Sequence, residues 1–294
     1  MPSATATAKP TTTTTTTTIT TQLRALGFCG ADDSVHPNML AMMSHAYPFV
    51  EFGVLFRPDK EGQSRYASSA WVERLKDVAA VPGSSSRPHK MKLAAHLCQS
   101  RVNEVLAGND SFLATLKGTF QRVQINATAV NGVAMAYLDP DKIESTLQNV
   151  VKVVHNNPEF EFILQKNDET KPLWNGLLQL DSETTGPAGS LPPNISMLVD
   201  ESKGTGIVSS TPWPSPSDAY QIGYAGGIGP GNIQTVLNDV IKAGAGRTVW
   251  IDMESKLRSI KNDKDVFDLD KCYEVIDATC AAGLHSHPSF LKGE

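Results

Sequence analysis

The chain has 294 residues, of which 40% are apolar and 19% are charged. It can therefore bury a core as large as one barrel or two smaller domains. Its 26 basic and 31 acidic residues give a formal charge of -5, which argues against the basic face that nucleic-acid binding needs. The four cysteines are widely spaced with no C-x-x-C pair, a pattern typical of neither a zinc ribbon nor a disulfide scaffold and compatible with a reducing compartment. They are Cys29, Cys98, Cys272 and Cys280.

The first 21 residues, which include an unbroken threonine run at 11–18, lack the basic start and apolar middle of a secretory signal. We interpret residues 1–21 as a disordered, Thr-rich leader, residues 22–284 as one domain and residues 285–294 as a C-terminal tail. No apolar run approaches the roughly 18 residues that a membrane helix needs. The sequence therefore predicts a cytoplasmic protein without a membrane or nucleic-acid partner.

From residue 22 onward, short apolar runs rich in β-branched and aromatic residues alternate with longer amphipathic stretches. This alternation is typical of repeated strand–helix units. Eight strands are predicted, each nearly continuous in apolar character, as expected for parallel strands that are covered on both faces. They lie at 23–29, 50–56, 92–97, 122–128, 159–164, 195–200, 221–225 and 248–252.

Helix signals lie between these strands, at residues 37–46, 68–78, 140–154 and 232–243. The sixth strand has two candidates, because the apolar runs 177–181 and 195–200 end in Asp181 and Asp200, respectively. We favour the run that ends in Asp200 and predict a helix at 171–180, with Pro172 in its first turn. Eight strands then close a (β/α)8 TIM barrel.

In such a barrel the loops at the carboxyl ends of the strands carry the functional residues. A glycine-rich turn at 225–233 follows the seventh strand and leads into a helix, where free backbone N–H groups suit an anion. Together with the loop at 252–258 it would form the usual phosphate site of these barrels. The alternative is that the glycines only allow a tight turn. Their spacing differs from G-x-G-x-x-G, so no nicotinamide or other cofactor is predicted.

Several motifs, most of them at predicted strand ends, occur in a fixed order. They are Gly-Phe-Cys-Gly at 27–30, Gly-Val-Leu-Phe at 53–56 with Gln-Ser-Arg-Tyr-Ala-Ser at 63–68, Val-Gln-Ile-Asn at 123–126, Val-Asp at 199–200 with Gly-Thr-Gly at 204–206, Ala-Gly-Gly-Ile-Gly-Pro-Gly-Asn-Ile at 225–233, and Asp-Met-Glu-Ser-Lys-Leu-Arg-Ser at 252–259. In this order the chain resembles the phosphoribosylanthranilate isomerase family from about residue 23 to residue 278. The resemblance implies a sugar-phosphate ketol-isomerase, which catalyses an Amadori rearrangement of an N-linked ribose phosphate in tryptophan biosynthesis.

The resemblance also implies roles for particular residues. Cys29 would be the general base and Asp200 the general acid. Arg65 would bind the carboxylate of the substrate, with Gln124 and Asn126 as further substrate-binding residues. The phosphate-binding residues would be Gly204, Thr205, Gly206, Gly226, Gly227, Glu254 and Ser255. No metal site is predicted, and the expected partner is a small phosphorylated sugar.

Several positions depart from the family pattern, among them Ala31 and Asp32, where an apolar residue and a threonine are usual. Gly27 stands where a lysine is usual, Asn126 replaces a histidine, and Glu254 and Lys256 replace a serine and a glycine. A carboxylate at position 254 would repel a phosphate unless a nearby cation compensates. The alternative function is therefore a catalytically silent or repurposed phosphate-binding barrel that binds a metabolite or a protein partner, in which Cys29 is a buried core residue.

Overall fold

The computed structural model describes residues 21–80, 90–180, 191–200, 202 and 212–289. Eight parallel strands form a closed barrel in chain order, and β8 closes it by pairing with β1. The predicted TIM barrel is thus confirmed, with strand ends within three residues of those predicted. The strands are β1 (Gln22–Cys29), β2 (Val50–Phe56), β3 (Lys92–Leu97), β4 (Arg122–Ile125), β5 (Glu161–Lys166), β6 (Ile195–Val199), β7 (Gln221–Tyr224) and β8 (Thr248–Met253).

Helices surround the barrel. The α-helices of the described residues are Pro37–Ala46, Ser69–Ala80, Ser100–Leu106, Ile143–Asn156, Lys171–Gln179, Ile233–Gly244 and Leu269–Ala281. Short 3-10 helices lie at Pro58–Lys60, Leu113–Leu116, Ala129–Asn131, Met135–Leu138 and Ser255–Leu257. Among the described residues, no helix is long and apolar enough to cross a bilayer.

The assignment of the sixth strand is also resolved. Leu177 lies in the helix Lys171–Gln179, which begins with Pro172 in its first turn, so the alternative strand at 177–181 is wrong. β6 ends one residue before Asp200, whereas Asp181 lies outside the described residues.

Besides the short 3-10 helices, three elements were not predicted. The helices Ser100–Leu106 and Leu269–Ala281 are two of them. The third is an antiparallel hairpin after β8, formed by β9 (Arg258–Lys261) and β10 (Lys264–Phe267). The hairpin lies next to the mouth of the barrel, because it follows the carboxyl end of β8 directly.

Glycines in the strands make room for large side chains inside the barrel. Gly27 pairs with Asp252, and a side chain at Gly27 would overlap the Asp252 carboxylate. Gly223 pairs with Trp250 and has the same relation to the Trp250 indole. The barrel interior therefore depends on complementary small and large residues on adjacent strands.

The amino end of the barrel interior is filled by an ion network. Arg122 Nη1 lies 2.8 Å from Glu51 Oε1, and Arg122 Nη2 lies 3.2 Å from Glu161 Oε1. Arg24 also pairs with Glu161. The guanidinium groups of Arg122 and Arg24 lie 4.3 and 4.5 Å from the centre of the Trp250 ring, where cation–π attraction adds to the ion pairs. This network closes the end of the barrel opposite the functional loops.

Both predicted domain boundaries lie next to residues that contact the barrel. Thr21 is buried, and its hydroxyl donates to the carbonyl of Ile241 at 2.8 Å. His285 stacks on Phe49 with ring centres 3.8 Å apart and bonds to the carbonyl of Leu23. The described part of the predicted tail therefore packs on the amino end of the barrel, whereas residues 1–20 and 290–294 lie outside the described residues.

Candidate active site at the carboxyl end of the barrel

A cavity of about 560 Å³, measured with the open space at its mouth, lies at the carboxyl ends of the strands. Its polar lining combines carboxylates, amides, one imidazole and the loops that follow β7 and β8. These residues are Asp200, Asp252, Glu254, Gln124, Asn126, Asn131, Gln165, His96, Ser202, Gly226, Gly227, Ser255 and Lys256. Among the described residues, no group of three or more His, Cys, Asp or Glu is arranged to hold a metal ion.

The structure brings most of the predicted site residues into this cavity. Its lining includes Asp200, Gln124, Asn126, Gly226, Gly227, Glu254 and Ser255, whereas Cys29 and Arg65 do not line it. Gly204, Thr205 and Gly206 lie outside the described residues. The strand-end motifs therefore meet at one cavity, but the side chains of Cys29 and Arg65 are not part of its lining.

Cys29 faces the barrel interior below the cavity. It is 1% exposed, packs against Leu55 and Cys98, and its Sγ lies 3.1 Å from Nδ1 of His96. Burial, together with the negative charge of Glu254, raises the pKa of the Cys29 thiol well above its usual value. Burial also lowers the pKa of His96 to about 3. The pair is therefore a neutral hydrogen bond, and the structure lacks the thiolate that a cysteine base requires.

The position of Gly27 explains part of this state. The family pattern has a cation here, but the space beside Gly27 is filled by the carboxylate of Asp252. A cation near a thiol lowers the thiol pKa, whereas a carboxyl group does not. Asp252 contributes instead to raising the pKa of Cys29.

Asp200 is held as a hydrogen-bond acceptor. Its side chain accepts a hydrogen bond from Nε2 of Gln165 at 3.1 Å and another from the hydroxyl of Ser202. Donors of this kind favour the ionised form of a carboxyl group. Asp200 is only 5% exposed, yet it lines the cavity, so its carboxylate is positioned to accept a proton from a bound molecule.

Asp252 has different surroundings from Asp200. Its carboxyl group makes no hydrogen bond with the described residues and lies against Gly27 in the cavity wall. Burial raises the pKa of Asp252 well above its usual value, and the negative charge of Glu51 adds to this rise despite the opposing Arg122. Asp252 therefore holds its proton to a higher pH than an ordinary aspartate does. Sequence reasoning did not assign it a proton-transfer role, although the alternation of Trp250, Asp252 and Glu254 indicates side chains that point into the barrel.

The loops after β7 and β8 offer unpaired donors at the mouth. The backbone N–H groups of Gly226, Gly227 and Ile228 make no hydrogen bond with the described residues, and neither does the ammonium group of Lys256. The turn is held by Asn232, which accepts a hydrogen bond from the Gly229 N–H at 2.9 Å and donates to the Gly227 carbonyl at 3.0 Å. Unpaired N–H groups and a free ammonium suit an anion.

Arg65 reaches the mouth from the loop after β2, and two of its three guanidinium nitrogens, Nη1 and Nε, are engaged. Its Nη1 lies 3.1 Å from Glu254 Oε1 and 3.0 Å from Ser255 Oγ, and its Nε lies 3.5 Å from Asp265 Oδ2. The backbone of Arg65 has a φ of +78° and donates to the carboxylate of Asp32. Burial raises the pKa of Glu254, and the charge of Arg65 offsets this rise in part.

The fold and the cavity together define a TIM barrel with a carboxyl-lined interior and unpaired donors at its rim. No family model matches the chain, and no curated protein matches it. Among solved structures, N-(5'-phosphoribosyl)anthranilate isomerase from Pyrococcus furiosus is 11% identical at a TM-score of 0.46, with 87% of this chain and 98% of that chain covered. A truncated 3-deoxy-D-arabino-heptulosonate 7-phosphate synthase from Thermotoga maritima is 8% identical at a TM-score of 0.44, with 90% and 89% covered. These identities are too low to assign an activity.

The protonation of Asp252 leads to a prediction about stability. Because the folded-state pKa is raised, the folded chain keeps a proton that the unfolded chain loses, so this group lowers stability as the pH rises above about 4. Asp252→Asn resembles the neutral acid and cannot ionise. We expect this variant to be more stable than the wild type at neutral pH, with a difference that grows by up to about 1.4 kcal/mol per pH unit.

Urea unfolding at a series of pH values between acid and mild alkali measures this difference. The matched control is Asp141→Asn, because Asp141 is an exposed aspartate. Its unfolding should follow the wild-type pH dependence. A parallel pH dependence for Asp252→Asn and the wild type would show that Asp252 ionises normally in the folded protein.

Proposed function

We propose that the protein is an isomerase of phosphorylated sugars, with Asp200 and Asp252 as its proton-transfer groups. The observation that supports this most directly is the contrast between the two carboxyl groups in one cavity. Asp200 accepts two hydrogen bonds, whereas Asp252 has no partner among the described residues and a raised pKa. Two carboxyl groups whose surroundings favour different protonation states are what an acid–base reaction needs.

The reaction can be written with these two groups alone. Asp200 removes the proton from the carbon next to the carbonyl, the C–H electrons form a carbon–carbon double bond, and Asp252 gives its proton to the carbonyl oxygen. The Asp252 carboxylate then takes the proton of the neighbouring hydroxyl, and Asp200 returns its proton to the former carbonyl carbon. An aldose becomes a ketose, and both residues regain their starting states.

The phosphate would bind at the rim. Its donors would be three backbone N–H groups in the loop after β7 that make no hydrogen bond with the described residues, together with the ammonium of Lys256. Gln124 and Asn126, whose amides hydrogen-bond to each other at 2.7 Å, line the opposite part of the cavity and would contact the hydroxyl groups of the sugar. The Amadori rearrangement of the tryptophan pathway, which the sequence resemblance implies, is one reaction of this class.

A second candidate is a phosphate-binding barrel without catalysis. The observation in its favour is Cys29, which is buried, neutral and covered, although the sequence pattern assigns it the base. In our proposal Asp200 is the base in place of the thiol. The two candidate functions therefore differ in whether Asp200 and Asp252 transfer protons, and both place a phosphate at the rim.

Aldose phosphates that carry no carboxylate, incubated with the protein in D2O and followed by NMR, test the proposal. We expect deuterium at the carbon next to the carbonyl and conversion to the ketose. Asp200→Asn and Asp252→Asn should each lower the rate by about 100-fold or more, whereas Cys29→Ala should lower it only slightly. Calorimetry with inorganic phosphate should give unchanged binding in all three variants.

Two results would contradict the proposal. Phosphate binding without exchange or conversion of any sugar phosphate would favour the silent barrel. A complete loss of activity in Cys29→Ala, with activity retained in Asp252→Asn, would restore the thiol as the catalytic base.

A further inference from the structure

Glu254 accepts a hydrogen bond from Nη1 of Arg65, the arginine beside the cavity. We propose that Glu254 is a specificity-determining residue, which acts as a built-in carboxylate and excludes ligands that carry a carboxylate of their own. This inference rests on the proposed function for the rest of the substrate. It narrows the substrate class to sugar phosphates whose other end is uncharged.

The geometry places Glu254 between the cavity and Arg65. Glu254 and Ser255 line the cavity, and both accept hydrogen bonds from the same nitrogen, Nη1 of Arg65. On its other side Arg65 contacts Asp265 of β10. The side chains of Arg65 and Glu254 are 33% and 32% exposed, so the pair is accessible from the mouth. Glu254 thus already takes one donor, Nη1, of a planar guanidinium that could otherwise bind a ligand carboxylate with two donors.

The backbone around the pair is adapted to it. Gly30 has a φ of +84°, and a side chain there would lie 3.3 Å from Cγ of Glu254. Arg65 itself has a left-handed backbone, which Asp32 holds by accepting its N–H. The methylene groups of Glu254 therefore lie beside Gly30, which has no side chain, and the backbone of Arg65 is held by Asp32. These features favour a permanent contact over a chance surface pair.

A ligand carboxylate would meet two costs at this position. It would have to displace Glu254, which would leave two carboxylates for one guanidinium. It would also add a negative charge near Asp200, which lines the same cavity. A neutral hydroxyl or amide end of a ligand neither displaces Glu254 nor adds a negative charge. It can exchange hydrogen bonds with Gln124 and Asn126.

The test uses 2-aminobenzoate, a fluorescent aromatic carboxylate, as the probe. The dissociation constant of the wild type for this probe should lie above the measurable range. That of Glu254→Gln should lie at least about tenfold below this limit, because Arg65 regains a free charge. Glu254→Ser, which also removes the side-chain bulk, should behave in the same way and provides a second variant should Glu254→Gln fold poorly. Adding Arg65→Met to either variant should abolish the gain.

Asp265→Asn is the matched control, because it removes the carboxylate on the side of Arg65 away from the cavity and should give no gain. Binding of 2-aminobenzoate by the wild type that is lost in Arg65→Met would overturn the inference, as would the absence of any gain in both folded Glu254 variants. Isomerisation and inorganic-phosphate binding are measured separately. Failure of the proposed function therefore leaves the result with the carboxylate probe interpretable on its own.

Discussion

Replacing Arg122 by methionine is expected to lower the free energy of unfolding by about 3–5 kcal/mol. The Arg122 and Glu51 side chains are 7% and 6% exposed, so the substitution leaves a buried carboxylate without its partner. The second acid, Glu161, keeps only Arg24 as an ion-pair partner. In the wild type burial raises the pKa of Glu161, but the charge of Arg122 and the contacts with Arg24 lower it to about 2. Trp250 loses one of its two guanidinium neighbours. Urea unfolding at neutral pH measures the loss.

Two further variants separate the buried pair from simple loss of packing. Arg24→Met removes a guanidinium over the same indole, but the Arg24 side chain is 30% exposed, and we expect a loss of only about 1 kcal/mol. Adding Glu51→Gln to Arg122→Met should recover part of the stability, because the unpaired charge is then removed. An equal loss for Arg122→Met and Arg24→Met, with no recovery in the double variant, would show that packing on Trp250 dominates.

The fold could be predicted because the information is local. Short apolar runs and their spacing located all eight strands, and Pro172 in the first turn of a helical pattern decided between two candidates for the sixth. The helix Leu269–Ala281 was missed although Asp268 caps it by accepting the Asp270 N–H. The β9–β10 hairpin was missed because its turn, Asn262-Asp263, lies in a charged stretch, and both turn residues have positive φ.

The site was predicted only in part because its chemistry depends on contacts between distant strands. Asp200, Gln124 and the glycine-rich turn reach the cavity as a direct consequence of strand ends meeting at one rim. The protonation of Cys29 and Asp252 depends on burial and on the pairing of β1 with β8, which no single motif contains. The occupation of Arg65 depends likewise on Glu254 and on a hairpin that was not predicted.

Arg258 connects this hairpin to the rim, and Arg258→Met is expected to lower the free energy of unfolding by about 3–5 kcal/mol. Its Nη2 lies 2.7 Å from Asp32 and its Nε lies 2.8 Å from Asp265, while its Nη1 donates to the Gly30 carbonyl at 2.7 Å. The Arg258 and Asp32 side chains are only 2% and 3% exposed. Without Arg258, Asp32 loses its ion-pair partner, Asp265 keeps only the longer contact with Arg65, and the loops after β1 and β8 lose their common anchor.

The same substitution should affect the candidate site, because Asp32 fixes the backbone of Arg65 and Asp265 contacts its side chain. We therefore expect Arg258→Met, under conditions where it is still folded, to bind inorganic phosphate several-fold more weakly in calorimetry. Lys261→Ala is the control, since Lys261 pairs with Asp268 on the exposed face of the same hairpin and should unfold at the wild-type urea concentration. Wild-type stability of Arg258→Met would contradict an anchoring role. Lost stability with unchanged phosphate binding would show that Arg258 stabilises the fold only, and that phosphate binding at the rim does not depend on the hairpin.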